Sequence, residues 1–228
     1  MAWTLDQIIT GRRDRLLTQF ARGSLMPVVE VDDRAKLASL MHLGEFPKGG
    51  LPGNLGGRQP QNVSVVAATA HDPHAGSVWV RGFEYAGYRD AYLEFLKVSY
   101  GLTVSASQFS REYDVDHLLN RAQTGSEVAL HRVEALPSWI NRLWGSYLEK
   151  LASFRKLDPD DPEKVLRTTR KMSYLIAAKT ARLLPPARLD DATGRERLAL
   201  GLIALGLPGD EVRSGLANML DHIARNQS

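Results

Sequence analysis

Three residues in the middle of the chain have side chains suited to metal-assisted hydrolysis. Asp116 and His117 are adjacent in a segment with strand character, and Asn141 lies in the first turn of a predicted helix. A carboxylate, a neutral imidazole and an amide oxygen form a hard, oxygen-rich set that suits partly hydrated Mg²⁺ or Mn²⁺ better than structural zinc. Phosphodiester cleavage needs a hydroxide-like nucleophile and a cation that absorbs developing charge. The three residue types are therefore compatible with metal-assisted hydrolysis, and phosphate esters are one class of substrate that such chemistry serves.

The segment around these residues, YDVDHLLNRAQTGSEVALHRVEALPSWINRLWGSYLEK, resembles the HNH, or ββα-metal, nuclease motif. The resemblance covers about 38 of the 228 residues and depends mainly on the short motif DVDH. In that family the Asp binds one divalent ion, the adjacent His is the general base, and a His or Asn of the helix completes the metal site. The resemblance implies a catalytic set of Asp116, His117 and Asn141, with Asp116 and Asn141 as ligands of Mg²⁺ or Mn²⁺.

The family pattern also has a central Asn or His that holds the loop between the two strands. The nearest candidates for this central position are His131 and Asn120, and neither is clearly in register. His131 lies in an apolar strand, where a core or edge histidine is the more common reading.

Basic residues near the motif are candidates for binding substrate phosphate, because guanidinium groups bind phosphates in a bidentate manner. Arg121, Arg142 and Arg132 flank the motif. A second group projects onto one face of a predicted helix further along the chain: Lys164, Arg167, Lys171, Lys179 and Arg182. Such a stripe is either a solvated helix face or a surface that binds a nucleic-acid backbone without sequence preference.

The order of predicted elements around the motif is strand, loop, strand, helix, over residues 111–119, 126–136 and 138–155. Side chains alternate along a strand, so Asp116 and His117 point to opposite faces unless the pleat breaks there. The catalytic set therefore requires that the strand ends or bulges at this pair. On the helix, Asn141, Gly145 and Glu149 share one stripe.

Elsewhere the sequence predicts an N-terminal helix with a Thr4–Gln7 capping box, a short helix at 34–43 and a Gly/Pro-rich loop at 44–62. Strands are predicted at 62–69 and 77–82, and a helix at 83–100 ends at Gly101. A helix from Asp161 to about Leu184 and two further helices, separated at residues 207–209, complete an all-helical last third.

The predicted fold class is α+β and helix-rich: a ββα-metal-like hairpin-helix core, an N-terminal α/β portion and a C-terminal helical bundle. The corresponding segments are 1–105, 106–157 and 158–228, packed as one or two compact domains.

Composition narrows the function classes. The chain has no cysteine, which excludes disulfides, thiolate nucleophiles and cysteine-bound zinc. A net charge of +3 is compatible with an anionic partner without requiring one. The start of the chain lacks an apolar signal region, and the longest apolar stretch, Leu198 to Leu207, is too short to span a bilayer. We therefore expect no membrane insertion, and a location that is cytoplasmic or reached by a signal-peptide-independent route.

The sequence predicts a metal-dependent endonuclease that acts on nucleic acid, with double-stranded DNA favoured over RNA. Such an enzyme fits a toxin or effector, which would have an inhibitory or immunity protein as partner, or a mobile-element nuclease. Two alternatives stay open. One is a non-enzymatic helical protein that binds nucleic acid or protein through a degenerate HNH-like core. The other is a hydrolase of small phosphate esters, since the site itself does not encode polymer binding.

Overall fold

The computed structural model describes most of the chain. The described residues are 3–22, 27–40, 62–66, 68, 71–82, 85–119, 129–152, 169–188 and 190–225. The helices are α1 (Leu5–Ala21), α2 (Arg34–Leu40), α3 (Tyr88–Tyr100), α4 (Ala106–Phe109), α5 (Ser138–Ala152), α6 (Tyr174–Thr180), α7 (Ala192–Ile203) and α8 (Gly209–Arg225). The strands are β1 (Val28–Val31), β2 (Val63–Val66), β3 (Ser77–Arg81), β4 (Tyr113–His117), β5 (Leu130–Pro137) and β6 (Thr169–Lys171). The protein is thus α+β, as predicted.

One antiparallel sheet connects all three predicted segments of the chain. Five of its six strands follow the order β2-β3-β5-β1-β6, and β4 pairs with β5. The long strand β5 is central: its first half lies between β3 and β1, and its second half pairs with β4 from His117↔Val133 to Tyr113↔Pro137. Because β5 is buried along its whole length, the hairpin β4–β5 is part of the core of the molecule.

Helices cover the sheet with two large apolar clusters. One cluster joins α3 and the first half of α1 to the strands, through residues such as Ile8, Phe95 and Val133. The other joins the second half of α1 to α5 and the C-terminal helices, through residues such as Trp144 and Leu175. The helices α6, α7 and α8 pack against one another, which agrees with the predicted C-terminal bundle.

Local sequence signals correctly predicted several elements. Thr4 and Gln7 form the capping box of α1, and Gly101 adopts the left-handed conformation (φ 67°) that ends α3. β2 pairs with β3, β4 pairs with β5, and α5 starts immediately after β5 at Ser138. The predicted order of strand, strand and helix is therefore confirmed, whereas residues 120–128 of the loop between the strands lie outside the described residues, as does the Gly/Pro-rich loop except for Asn62.

Two strands were not predicted. Residues 169–171 form β6, so the predicted continuous helix from 161 to 184 is wrong over this range, and the last third is not all helical. β6 pairs with β1, a short Val-rich strand that was also not predicted, through Val31↔Thr169 and Val28↔Lys171. Pairing between distant segments overrides helical propensity here. The helix α6 then ends at Thr180, before the predicted stop at Pro185, and Arg182 follows in a left-handed conformation (φ 63°).

None of the helices in the described part of the chain is long and apolar enough to cross a membrane.

Candidate active site

The candidate site is organised by the alternation of side chains along β4. Asp116 pairs with Glu134 of β5 and His117 pairs with Val133, with no register shift between the two strands. Because consecutive residues of a regular strand point to opposite sides, Asp116 and His117 lie on different faces of the sheet. We call the face with Asp114 and Asp116 the α5–α6 face, and the face with Val115 and His117 the α3 face, after the helices that contact them.

On the α5–α6 face, both aspartates of β4 contact helical side chains. Lys179 of α6 donates to Asp116, with 2.5 Å between Nζ and Oδ2. Asn141, in the first turn of α5, donates from Nδ2 to Oδ2 of Asp114 at 3.4 Å. The helix positions Asn141 here because Ile140 and Trp144 are fully buried and fix the rotation of α5. The face therefore brings together two carboxylates, one amide and one ammonium group.

A third carboxylate on this face is fully enclosed by arginines. Glu134, opposite Asp116, accepts from Nη2 and Nε of Arg12, with a closest distance of 2.7 Å, and from Arg132 at 2.8 Å. All three side chains are at most 5% exposed. Arg12 also donates to the carbonyl of Gly76. Two guanidinium groups thus share one buried carboxylate.

Burial and charge act against each other in this cluster. Burial opposes ionisation of Glu134, but Arg12 and Arg132 outweigh it and hold the pKa of Glu134 below its usual value. Burial lowers the pKa of Arg132, whereas the strong contact with Glu134 raises the pKa of Arg12 despite its burial. The three groups are therefore ionised at neutral pH and depend on one another.

The α3 face has a different character, with aromatic and imidazole rings in close contact. The ring of His117 lies 4.8 Å from that of Tyr88 on α3 and 6.1 Å from that of His131 on β5. His131 is fully buried, with its Nδ1 3.4 Å from Oε2 of Glu30 on β1. Glu30, His131 and His117 thus form a row across three strands of the sheet.

Burial determines the protonation of His117. It lowers the pKa of this imidazole to about 4, with a further lowering by Lys179 and an opposing effect of Asp116. His117 is therefore neutral at physiological pH, which is the state that a general base requires.

The structure brings together part of the predicted catalytic set. Asp116 and Asn141 are on the same face, although Asn141 contacts Asp114 rather than Asp116. His117 is on the opposite face, because β4 keeps its regular pairing through this residue and Leu118 continues it by donating to the carbonyl of Arg132. The break in the pleat that the catalytic set requires is absent from the described residues of this strand.

The predicted phosphate-binding residues are distributed over several environments. Arg142 is exposed on α5 and Lys171 is exposed on β6, whereas Arg132 is buried against Glu134. Of the central-position candidates, His131 is buried in the row on the α3 face. The basic stripe does not follow one helix, because Lys171 belongs to a strand and Lys179 is buried beside Asp116. Outside the described residues lie Asn120, Arg121, Lys164 and Arg167.

Sequence reasoning missed four residues of the α5–α6 face: Asp114, Glu134, Lys179 as a partner of Asp116, and Arg12. Asp114 and Glu134 had a usable signal, because each is two residues from another charged residue in a strand, Asp116 and Arg132 respectively. Arg12 had none, since it is 122 residues from Glu134 in the chain.

The oxygen-bearing side chains of the α5–α6 face determine whether a metal ion could bind there. Among the described residues, no group of three or more His, Asp or Glu side chains is arranged to hold a metal ion. The α5–α6 face offers two carboxylates and an amide oxygen, a smaller set that would leave coordination positions for water and substrate. An added side chain at Gly145, one turn beyond Asn141, would meet no atom within 4 Å, so the surface beside α5 is open there. The side chain of Glu149, which the sequence places on the same stripe, lies outside the described part of the structure.

Comparison with known proteins assigns no family: no family model, no curated protein and no solved structure matches this chain.

Proposed function

We propose that the chain is a metal-dependent endonuclease that hydrolyses phosphodiester bonds, with an HNH-like core at about residues 111–156 and DNA as its substrate. The observation that carries this proposal is the hairpin β4–β5 followed directly by α5, with Asp116 and Asn141 on one face. This is the order of elements and the pair of ligand types that the motif requires.

The oxygen donors of the α5–α6 face fit a hard divalent cation such as Mg²⁺ or Mn²⁺. Asp116, Asp114 and the side-chain oxygen of Asn141 would hold it, since small hard cations prefer carboxylate and carbonyl oxygens and retain several waters. The bound cation would stabilise negative charge that develops on the phosphate oxygens. The side chain of Asp116 is 23% exposed, so a cation from solvent can approach it.

His117 would accept the proton of the attacking water. Its neutral state suits this role, but its imidazole now contacts Tyr88 on the α3 face. The proposal therefore requires that the end of β4 turns at residue 117 when substrate binds. Among the predicted phosphate ligands, Arg142 and Lys171 are exposed and available to bind the nucleic-acid backbone.

The biological setting remains part of the same proposal. A cytoplasmic or signal-independently delivered nuclease of this kind would act as a toxin or effector with an inhibitory protein partner, or in a mobile element.

A second candidate function is a non-enzymatic module that binds nucleic acid or protein. Two observations favour it. Lys179 already neutralises Asp116, and the regular pairing of β4 places His117 on the opposite face, where it contacts Tyr88. In this case the ion pairs of the α5–α6 face would be structural.

A plasmid-nicking assay with Mg²⁺ separates the two functions. We expect the parent protein to nick supercoiled DNA with Mg²⁺ and not with EDTA. Asp116→Ala and His117→Ala should each lower the rate by roughly 10²-fold or more, because they remove a metal ligand and a general base. The matched control is Asp90→Ala, which removes an exposed carboxylate of α3 and should nick like the parent. Equal nicking by all variants, or by none including the parent, contradicts the nuclease proposal.

A further inference from the structure

Lys179 occupies an unusual place for a lysine. It is part of a run of buried residues in α6, from Leu175 to Thr180, and its side chain is only 7% exposed. Lysine is rarely buried unless it is paired, because moving an ammonium group out of water is costly. Replacing a buried ion pair with apolar residues is often neutral or stabilising, so the pair Lys179–Asp116 is weak evidence of a purely structural role.

The two partners are unequally accessible. The side chain of Asp116 is 23% exposed and that of Lys179 is 7% exposed. A cation approaching from solvent therefore meets more of the Asp116 side chain than of the Lys179 side chain. Asp114 points to the same side two residues away, and Asn141 contacts Asp114, so further oxygen donors lie near this carboxylate.

Among the described ion pairs, Asp116 is paired with Lys179. Arg12 and Arg132 are bound to Glu134, the residue that pairs with Asp116 on the neighbouring strand. A divalent cation attracts a carboxylate more strongly than an ammonium group does at the same distance. The flexible four-carbon stem of lysine allows Nζ to move while the helix stays in place.

From these observations we propose that Lys179 is a substrate-binding residue of the candidate site, held by Asp116 until a divalent cation takes that carboxylate. The released ammonium group then binds a non-bridging oxygen of a nucleic-acid phosphate beside the cation, as lysine does as a point charge. This inference rests on the proposed function. Lys179 would thus compete with the metal ion for Asp116 and, once released, bind the substrate.

Two binding measurements on Lys179→Met test the inference without relying on activity. Titration with Mn²⁺, followed by electron paramagnetic resonance, should show binding about fivefold tighter than in the parent, because the competing cation is gone. Binding of a short DNA duplex with Ca²⁺ in place of Mg²⁺ should be about tenfold weaker, because a charged phosphate contact is lost. A structural ion pair would not produce these opposite changes.

The matched control is Lys97→Met, which removes an exposed lysine of α3 and should leave Mn²⁺ affinity unchanged. Lys179→Arg keeps the charge, so its Mn²⁺ and DNA affinities should stay within about twofold of the parent. It also provides the test if thermal unfolding shows that Lys179→Met does not fold, because Mn²⁺ binding several-fold tighter in Lys179→Arg would then overturn the inference.

The outcomes separate this inference from the proposed function. If the parent binds Mn²⁺ but Lys179→Met binds it equally or more weakly, the inference is overturned and the proposed function stands. Tighter Mn²⁺ binding with unchanged DNA affinity also overturns it, because the substrate contact is then missing. If no protein binds Mn²⁺, the proposed function fails and the inference fails with it.

Discussion

The two faces of β4 place neighbouring residues in different surroundings. On the α5–α6 face, Asp116 is matched by Lys179, and Glu134 by two arginines, so burial is accompanied by opposite charge. On the α3 face, His117 packs against the ring of Tyr88 and is kept neutral by burial. The α5–α6 face therefore keeps its ionisable groups charged, whereas the α3 face keeps the imidazole of His117 neutral.

This difference matters for function, because adjacency in sequence does not bring Asp116 and His117 to a common site. Asp114, two residues before Asp116, shares its face, whereas His117 does not. The proposed metal site and the proposed proton acceptor thus lie on opposite faces of the sheet, and the proposed reaction requires that they come together.

The largest expected effect concerns the charged face. Glu134→Gln leaves Arg12 and Arg132 buried without their shared carboxylate and should destabilise the protein by about 3–5 kcal/mol. Urea unfolding measures this loss. The control is Glu196→Gln, which breaks an exposed pair with Arg213 and should leave the unfolding midpoint close to that of the parent. An unfolding midpoint of Glu134→Gln equal to that of the parent would mean that water reaches the buried guanidinium groups of Arg12 and Arg132.

The next effect concerns His117 and pH. Its folded pKa, about 4, lies below the unfolded value of 6.5, so the unfolded state binds more protons between these values. The contribution of His117 to stability is complete above pH 6.5 and is lost as the pH falls toward 4. Between pH 7 and pH 5 the parent should lose about 2 kcal/mol more than His117→Gln.

Urea unfolding at the two pH values measures this difference. The control variant, Ser107→Ala, changes an exposed side chain that carries no charge and should keep the pH dependence of the parent. The same pH dependence in His117→Gln as in the parent would contradict the assignment of a buried, neutral imidazole.

A smaller effect should follow from uncovering His117. Tyr88→Ala removes the ring that packs 4.8 Å from the imidazole, so water reaches His117 and its pKa should rise from about 4 toward its usual range. Side-chain chemical shifts of His117 in a pH titration report this change. Tyr174→Ala, in the other apolar cluster, should leave the titration of His117 unchanged. An unaltered pKa in Tyr88→Ala would show that other groups bury the imidazole.

The smallest effect on stability is expected at Asp114. Its contact with Asn141 is long, at 3.4 Å, so Asp114→Ala should cost less than about 1 kcal/mol of unfolding free energy. If the carboxylate is a metal ligand, plasmid nicking should nevertheless fall by about tenfold or more. Asp90→Ala should change neither property. A change in stability without a change in nicking would assign Asp114 to the fold alone.

Much of the local structure could be predicted from sequence, because its causes lie within a few residues. The capping box at Thr4 and Gln7, the left-handed Gly101 and the hairpin followed by α5 are examples. β1 and β6 could not be predicted in this way, because each is short and is stabilised by pairing with a distant segment.

The candidate site could be predicted only in part for the same reason. The motif identifies Asp116 and Asn141. Strand alternation predicts that Asp116 and His117 point to opposite faces unless the pleat breaks. The partners that decide their chemistry come from elsewhere: Lys179 is 63 residues from Asp116, and Tyr88 comes from α3. No local pattern connects these positions.

Mn²⁺ binding, measured by electron paramagnetic resonance on the parent, Asp116→Asn and His117→Gln, tests the central claim most directly. We predict that the parent binds Mn²⁺, that Asp116→Asn weakens binding by about tenfold or more because it removes a charged ligand, and that His117→Gln binds like the parent. Absence of binding in the parent, or equal binding in all three proteins, would contradict a metal site on the α5–α6 face.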